Sequence, residues 1–300
     1  MMKSERRASV SVAIRVCAFV MLYLIPAGLV SGADLPEIKK NGVLRHLGVP
    51  YANFVTGSGD GLSVEMMQLF AKHLGVKYEY VKTNFKNLIN DVTGKKVKST
   101  GNDVEILGEA PVRGDIIANG LTMIPWRQKV IDYSTPTFPT QVWLMARADF
   151  PISPIKPTGD INKDIALVKG ALRGKTVLGK AKTCLDPALY DLKKTGAVVK
   201  LFGGGLNELA PAIINGEAET TILDVPDALI ALEKWPGKTK VIGPISPRQV
   251  MGCGFAKTSP LLRAAFNEFF EKCKKDGTYI SLVKKYYPAV FMYYPEFFKE

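Results

Sequence analysis

Residues 120–134 read GLTMIPWRQKVIDYS and place Arg127 one turn into a helix that Pro125 can open. A helix start carries partial positive charge, so a cation there is disfavoured unless an anion joins it. Forked guanidinium donors beside helix-end amides would suit a carboxylate. The competing reading is a surface arginine paired locally with Asp132. Other chemistry is sparse. His46 and His73 are the two histidines, too few for a multi-histidine metal site, and His73 sits in a helical pattern as a surface residue. GxSxG, Walker, HExxH and CxxC motifs are absent after the leader, so neither a standard enzyme signature nor a cofactor motif is present.

The chain is basic, with 40 Lys and Arg against 28 Asp and Glu and a net charge of +12. Lysine-rich solvated faces are the usual source of such a balance. No basic-aromatic motif or zinc spacing points to nucleic acid. Lys3, Arg6, Arg7 and Arg15 precede an apolar run over 16–30, and Ser31-Gly32-Ala33 offers a cleavage site. That order predicts a signal peptide over 1–33. Pro26 and Gly28 interrupt the run, which is short for a membrane span, and Cys17 lacks the context of a lipid-attachment cysteine. The expected product is soluble and periplasmic. Cys184, Cys253 and Cys273 remain, which allows one disulfide and a leftover thiol without choosing between them. Cys273 falls on an apolar helix face.

The elements that must position Arg127 alternate between strand and helix periods. Ser63 can cap a helix in which Val64, Met67, Phe70 and Ala71 recur at helical spacing up to Gly75. A strand over 76–81, a helix over 84–92, a strand over 115–119 and the Pro125 helix follow. Prolines 151, 154 and 157 then break the rhythm. It resumes with strands at 176–178, 198–202 and 220–223 and helices at 187–194, 208–215 and 226–234. A strand near 251–255 leads to two final helices, the second over 278–287. This is α/β architecture in two lobes, each a mainly parallel sheet flanked by helices, with a cleft suited to a small ligand. Residues 93–113 are too long for a simple loop and read as a β-hairpin extension.

With these elements in order, the chain resembles the amino-acid-type periplasmic solute-binding proteins of ABC importers, family 3, with the type II fold. The resemblance rests on NGLTMIPWRQKVIDYS, GLSVEMMQLFAKHLGV, NGEAETTILD and KKDGTYISLVKKYY, and it covers nearly all of residues 40–290. It implies two hinge crossings, with lobe 1 over 34–138 including the 93–113 insert, lobe 2 over 139–248, and a return to lobe 1 over 249–300. It further implies a monomer that captures an amino acid or small carboxylate and presents it to a membrane permease, without catalysis, cofactor or metal. On this match Arg127 grips the ligand carboxylate, Thr122 donates a hydroxyl and Gly120 accepts through its backbone. Asp224 pairs with an α-ammonium, Tyr51 and Phe85 sandwich the ligand, and Lys180, Thr183 and Cys184 form the second lobe's binding turn.

Each assignment has a plainer counterpart. Asp224 in Asp-Val-Pro-Asp can cap a helix with proline at N1. Tyr51, Phe85 and Cys184 can be packing, Lys180 a solvated lysine, Thr122 a strand-end partner and Gly120 a turn glycine. The chain also departs from the pattern. Pro50 stands near a usual acid, Ile124 and Trp126 remove the capping box, and GKAKTCLD lacks the small Ser-Gly-Thr run. These changes leave the ligand's identity open. Two other functions fit the scaffold. A cyclohexadienyl dehydratase-like enzyme needs an acid in the second-lobe turn, where Asp186 is the nearest. A sensor would need a separate receptor, since no transmembrane or signalling segment is read after YYPEFFKE.

Overall fold

The computed structural model describes residues 32–299, so the expected signal peptide lies outside the described residues except for its last two positions. Helix α1 (Leu35–Asn41) is closed by a capping box between Asp34 and Glu37 and ends on left-handed Gly42. It feeds strand β1 (Val43–Gly48). Helix α2 (Leu62–Leu74) buries Val64, Met67, Phe70 and Ala71, one apolar face of the predicted period. Ser63 is not its cap. Gly61 takes that place with φ of +129°, and an added Cβ there would lie 2.3 Å from the Phe54 carbonyl oxygen. Only glycine tolerates that approach.

Strand β2 (Lys77–Lys82) pairs parallel with β1. The helix expected over 84–92 shrinks to α3 (Leu88–Thr93), because Asn84 draws the Asn87 and Leu88 amides into a turn. Strands β3 (Lys95–Thr100) and β4 (Asp103–Glu109) form a separate antiparallel hairpin. Strand β5 (Ile116–Thr122) returns beside β1 and is buried along nearly its whole length, as a central strand should be. A single helical turn, α4 (Pro125–Gln128), then leads to β6 (Ile131–Tyr133) and β7 (Phe138–Thr140).

Gln141 alone separates β7 from β8 (Val142–Arg147), which belongs to a second sheet. Helix α5 (Ile161–Gly170) was not legible beforehand. Half of its INKDIALVKG sequence is apolar, but of those residues only Val168 is buried, so no full apolar stripe marks it, and Asp160 starts it by accepting from Asn162 and Lys163 amides. Strands β9 (Thr176–Gly179) and β10 (Val198–Leu201) run parallel. The helix expected over 187–194 is instead two 3₁₀ turns, Pro187–Tyr190 and Leu192–Thr195, broken where Asp191 adopts φ of +55°. Helix α6 (Leu209–Ile214), strand β11 (Thr220–Asp224), helix α7 (Val225–Lys234) and strand β12 (Thr239–Pro244) complete the lobe. Its order is β10-β9-β11-β8-β12, with β8 antiparallel to both neighbours.

Strand β13 (Gln249–Ala256) carries the chain back to give the first sheet its order β2-β1-β5-β13-β6, with β7 also on β13. Helices α8 (Pro260–Lys275), α9 (Thr278–Tyr286) and α10 (Val290–Tyr293) close the chain. Leu262, Phe266, Phe269 and Cys273 form the buried face of α8. Cys184, Cys253 and Cys273 are all buried free thiols.

The two crossings between sheets are tied to each other. The Ser246 hydroxyl accepts from the Val142 amide at 2.9 Å, and Gln141 donates to the Ser246 carbonyl at 2.8 Å. Gln141 in turn accepts from the Trp143 indole at 2.9 Å, and Tyr293 packs edge-on against that indole at 5.3 Å. Paired crossings of this kind let lobes rotate about a short axis without breaking either sheet.

Candidate functional site

The ends of β5 and β11 lie on the two sides of the interlobe cleft, and each leads to one charged side chain, Arg127 in the turn after β5 and Asp224 closing β11. On the first lobe, β5 ends at Thr122, which is fully buried with a hydroxyl that has no hydrogen-bond partner among the described residues. Two residues earlier Gly120 turns with φ of +58°, and an added Cβ would strike the Phe54 ring at 2.3 Å. Ile124 starts α4 without a side-chain cap, and Trp126 and Arg127 are both buried. Arg127 is 4% exposed, and its Nη1 donates to the Thr122 carbonyl at 2.9 Å while its Nε remains unpartnered. Its guanidinium lies 5.5 Å from the Trp126 ring centre.

Local pairing with Asp132 does not occur, since that carboxylate faces Lys257 at 3.2 Å and Arg263 at 3.8 Å. The helix end itself contributes little. α4 has four residues, too few aligned peptide dipoles for a macrodipole, so Arg127 is the main positive source.

On the second lobe, Asp224 stands at the N-cap of α7 but makes no capping hydrogen bond. Its Oδ2 accepts from the Tyr51 hydroxyl at 3.1 Å, across the cleft, and from the Cys184 thiol at 2.9 Å. Its Oδ1 is buried and unpartnered. Tyr51 meets Phe85 edge-on at 5.8 Å, and next to it Ala52, strained at φ of +44°, donates its amide to Asn207 of the second lobe at 2.8 Å. Thr183 spends its hydroxyl within its own turn, donating to the Lys180 carbonyl at 2.8 Å and accepting from the Leu185 amide at 3.0 Å. Lys180 reaches the carbonyls of Phe202, Gly203 and Gly204, so its charge staples two loops of the second lobe.

The electrostatics link both faces. Burial raises the Asp224 pKa above the usual carboxylate value, opposed by the Cys184 and Tyr51 hydrogen bonds and then by the Arg127 charge. Burial and then the Asp224 charge push Cys184 well above an ordinary thiol, with Arg127 pulling the other way, so the thiol is neutral. Tyr133, which donates to the Thr122 carbonyl at 3.0 Å, is raised to about 12 by burial, with Arg127 opposing. The arrangement brings a buried guanidinium and a buried carboxyl from the two lobes close enough for the one to act on the other.

Residues 111–289 match the model of the bacterial extracellular solute-binding proteins, family 3. The chain belongs to that family. Among curated relatives it is 25% identical over 234 residues to membrane-bound lytic murein transglycosylase F of Desulfosudis oleivorans, covering 77% of this chain and 44% of the relative. It is 22% identical over 233 residues to the L-cystine-binding protein TcyJ of Escherichia coli, covering 78% and 76%. The chain spans about half the length of the transglycosylase relatives it matches. Among solved structures it is similar to ArgBP from T. maritima, with a TM-score of 0.66 at 23% identity over 85% of this chain and 99% of that one. An ancestral amino-acid-binding protein, a precursor of cyclohexadienyl dehydratase, gives 0.64 at 23% over 84% and 98%. At these identities the structures establish the two-lobed type II fold that family 3 proteins adopt.

Within that family fold, Arg127, Thr122, Asp224, Tyr51 and Cys184 converge on the cleft, Phe85 and Gly120 border it, and Lys180 and Thr183 are held by the second lobe's own backbone. Residue reading alone did not single out Tyr133, Tyr190 or Asn207. Tyr190 donates to the Cys184 carbonyl and so fixes the binding turn. Tyr133 had a signal in the Asp-Tyr-Ser that ends the opening motif. Nothing local marks Asn207.

Proposed function

We propose that this chain is the periplasmic solute-binding component of an ABC importer, and that it captures an amino acid or related small carboxylate between lobes 34–138 with 249–300 and 139–248. One observation carries the reading. Among the described residues Arg127 Nε, Thr122 Oγ1 and Asp224 Oδ1 are buried without a hydrogen-bond partner and come from both faces of the cleft. Buried polar atoms are normally satisfied, so groups left free at a cleft are those a ligand completes. The ligand carboxylate would sit on Arg127 and Thr122, and its ammonium on Asp224. Closure would then be held by ligand bonds made to both lobes at once. The site is read as a small-molecule one, with a membrane permease as the partner that receives the solute and no nucleic acid or metal involved. Among the described residues no helix is long and apolar enough to cross a membrane, and none of their acidic, histidine or cysteine groupings could hold a metal ion.

The test is calorimetry of the purified chain against an amino-acid panel, beside Arg127→Ala. Equal affinity of parent and variant for the best ligand would sink the proposal. A dehydratase-like reading has weaker support. Its nearest candidate acid, Asp186, is engaged by the Ala188 amide at 3.0 Å and the Lys182 amide at 3.2 Å. Turnover of prephenate or arogenate by the purified chain would restore it.

A further inference from the structure

The chain that follows α9 runs beside both hinge crossings and touches both lobes. Its start is fastened to the first lobe. The Tyr287 hydroxyl accepts from the Asn53 amide at 2.8 Å, the Tyr287 ring packs 4.9 Å from Phe138 of β7, and Val290 is fully buried. Its far end returns to the same lobe, where Phe298, in a 3₁₀ turn over Pro295–Phe298, meets Phe138 and Tyr279 of α9, each at 6.3 Å. Between these anchors the segment reaches over to the second lobe. Tyr293 stands edge-on to Trp143 of β8, in the second sheet, at 5.3 Å. Tyr294 is 3% exposed, and its ring centre lies 5.1 Å from the Arg248 guanidinium, which also pairs with the Glu296 carboxylate. Arg248 sits in the second crossing, between β12 and β13, and Trp143 is two residues beyond Gln141 of the first. Burial raises the Tyr294 pKa, Arg248 opposes it and the Asp224 charge adds to it, so the segment passes within electrostatic reach of the second lobe's acid.

A segment pinned to one lobe at both ends and to the other in its middle resists rotation between them. Turning the second lobe about its crossings would pull Trp143 from Tyr293 unless the segment left its own anchors. The contacts are unequal. Aromatic and cation–π pairs keep their worth beside water, whereas an ion pair whose side chains are 61% and 54% exposed contributes little. We propose that residues 287–298 form a strap that holds the lobes at the angle at which Tyr51 reaches Asp224 and the Ala52 amide reaches Asn207 across the cleft. Tyr293 and Tyr294 carry most of its grip, and Glu296 adds a minor part. The strap is a property of the hinge, so it goes beyond the carboxylate clamp and holds whichever solute the cleft takes.

The experiment is amide hydrogen exchange, followed by NMR, on the full chain and on Tyr293→Ala, Arg248→Gln and Glu296→Gln. The Ala52 amide is bonded to Asn207 of the other lobe, so its exchange reads opening of the cleft. The Asp115 amide on the Arg45 carbonyl and the Ile155 amide on the Ile242 carbonyl, both at 2.9 Å, read unfolding within each lobe. Loss of one aromatic contact predicts about fivefold faster exchange at Ala52 in Tyr293→Ala, about threefold in Arg248→Gln and less than about twofold in Glu296→Gln. Asp115 and Ile155 should keep the parent rate. An Ala52 amide that exchanges at the parent rate in Tyr293→Ala overturns the proposal. A rise shared equally by all three amides overturns it too, because the segment would then be plain packing of the fold. Tyr293 is 43% exposed, and Tyr293→Leu repeats the comparison should the alanine variant fold poorly.

Discussion

The two faces of the cleft are built on different terms. On the first lobe Arg127, in α4, is anchored to the Thr122 carbonyl that ends β5, and among the described residues neither its Nε nor the Thr122 hydroxyl has a hydrogen-bond partner. On the second lobe Asp224 already accepts from Tyr51 and Cys184. An anion arriving at the first face would meet two free groups, whereas a cation arriving at the second would meet one free oxygen, Oδ1, on a carboxylate whose other oxygen already holds a hydroxyl and a thiol. In the proposed clamp, affinity would therefore reside mostly on the arginine side, and discrimination on the aspartate side, whose carboxylate is shared with a hydroxyl and a thiol.

Removing the arginine is the severest test of that contrast. Arg127→Ala should cost about 4 kcal/mol of binding, roughly a thousandfold, because truncation of a buried charge partner leaves the ligand carboxylate uncompensated. Calorimetry with the best ligand measures it, and a loss smaller than that of Asp224→Asn would reverse the assignment of the two faces.

Acid should also separate the lobes. His46 in β1 is fully buried, bonded to Tyr78 at 2.9 Å and to the Ala118 carbonyl at 2.7 Å. Burial lowers its pKa to about 4, partly opposed by the Ala118 bond, against 6.5 for a free imidazole. The unfolded chain takes up a proton below pH 6.5 and the native chain does not until about pH 4, so stability present above 6.5 is lost as pH falls through this window. The loss approaches about 3 kcal/mol at the lower end. Urea midpoints at pH 7 and pH 5 should differ in the parent and differ less in His46→Gln, with amide exchange in β1 and β5 rising ahead of that in β9 and β11. Uniform exchange across both sheets would contradict the lobe-specific effect.

A smaller change is expected at the second face. Asp224→Asn should weaken amino-acid binding by about 2 kcal/mol, roughly thirtyfold, yet leave the matching des-amino carboxylate nearly unaffected. If both ligands weaken alike, Asp224 does not read the ammonium. The mildest effect belongs to Cys184→Ala. The neutral thiol donates to Oδ2 of the carboxylate whose free Oδ1 the ammonium would take, so its removal should improve binding by about 1 kcal/mol or less. A large loss instead would make the thiol a direct ligand contact.

Local order explains what was readable beforehand. Arg127 and Asp224 each follow an apolar strand and adjoin a proline, and strand ends in open α/β sheets face the cleft. The βα alternation, the apolar face of α8 and the hairpin over 93–113 announce themselves by period. What escaped depends on distant partners. Cys184 meets Asp224 across forty residues of sequence, and Lys180 is captured by carbonyls of a loop that only tertiary closure brings near. Ser63 is displaced as a cap because Gly61 packs against Phe54, a contact no propensity encodes.

The indole of Trp143, held between Gln141 at the crossing and Tyr293 of the tail, gives the molecule a native optical gauge. A rotation between lobes that moved the tail would change that ring's aromatic neighbour, shifting emission colour and intensity. Trp126 lies against the Arg127 guanidinium and would report solute arrival at the proposed clamp separately. With three tryptophans in the chain, replacing Trp235 would leave one lamp at the pivot and one at the anion grip, so occupancy and closure could be timed in a single unlabelled sample.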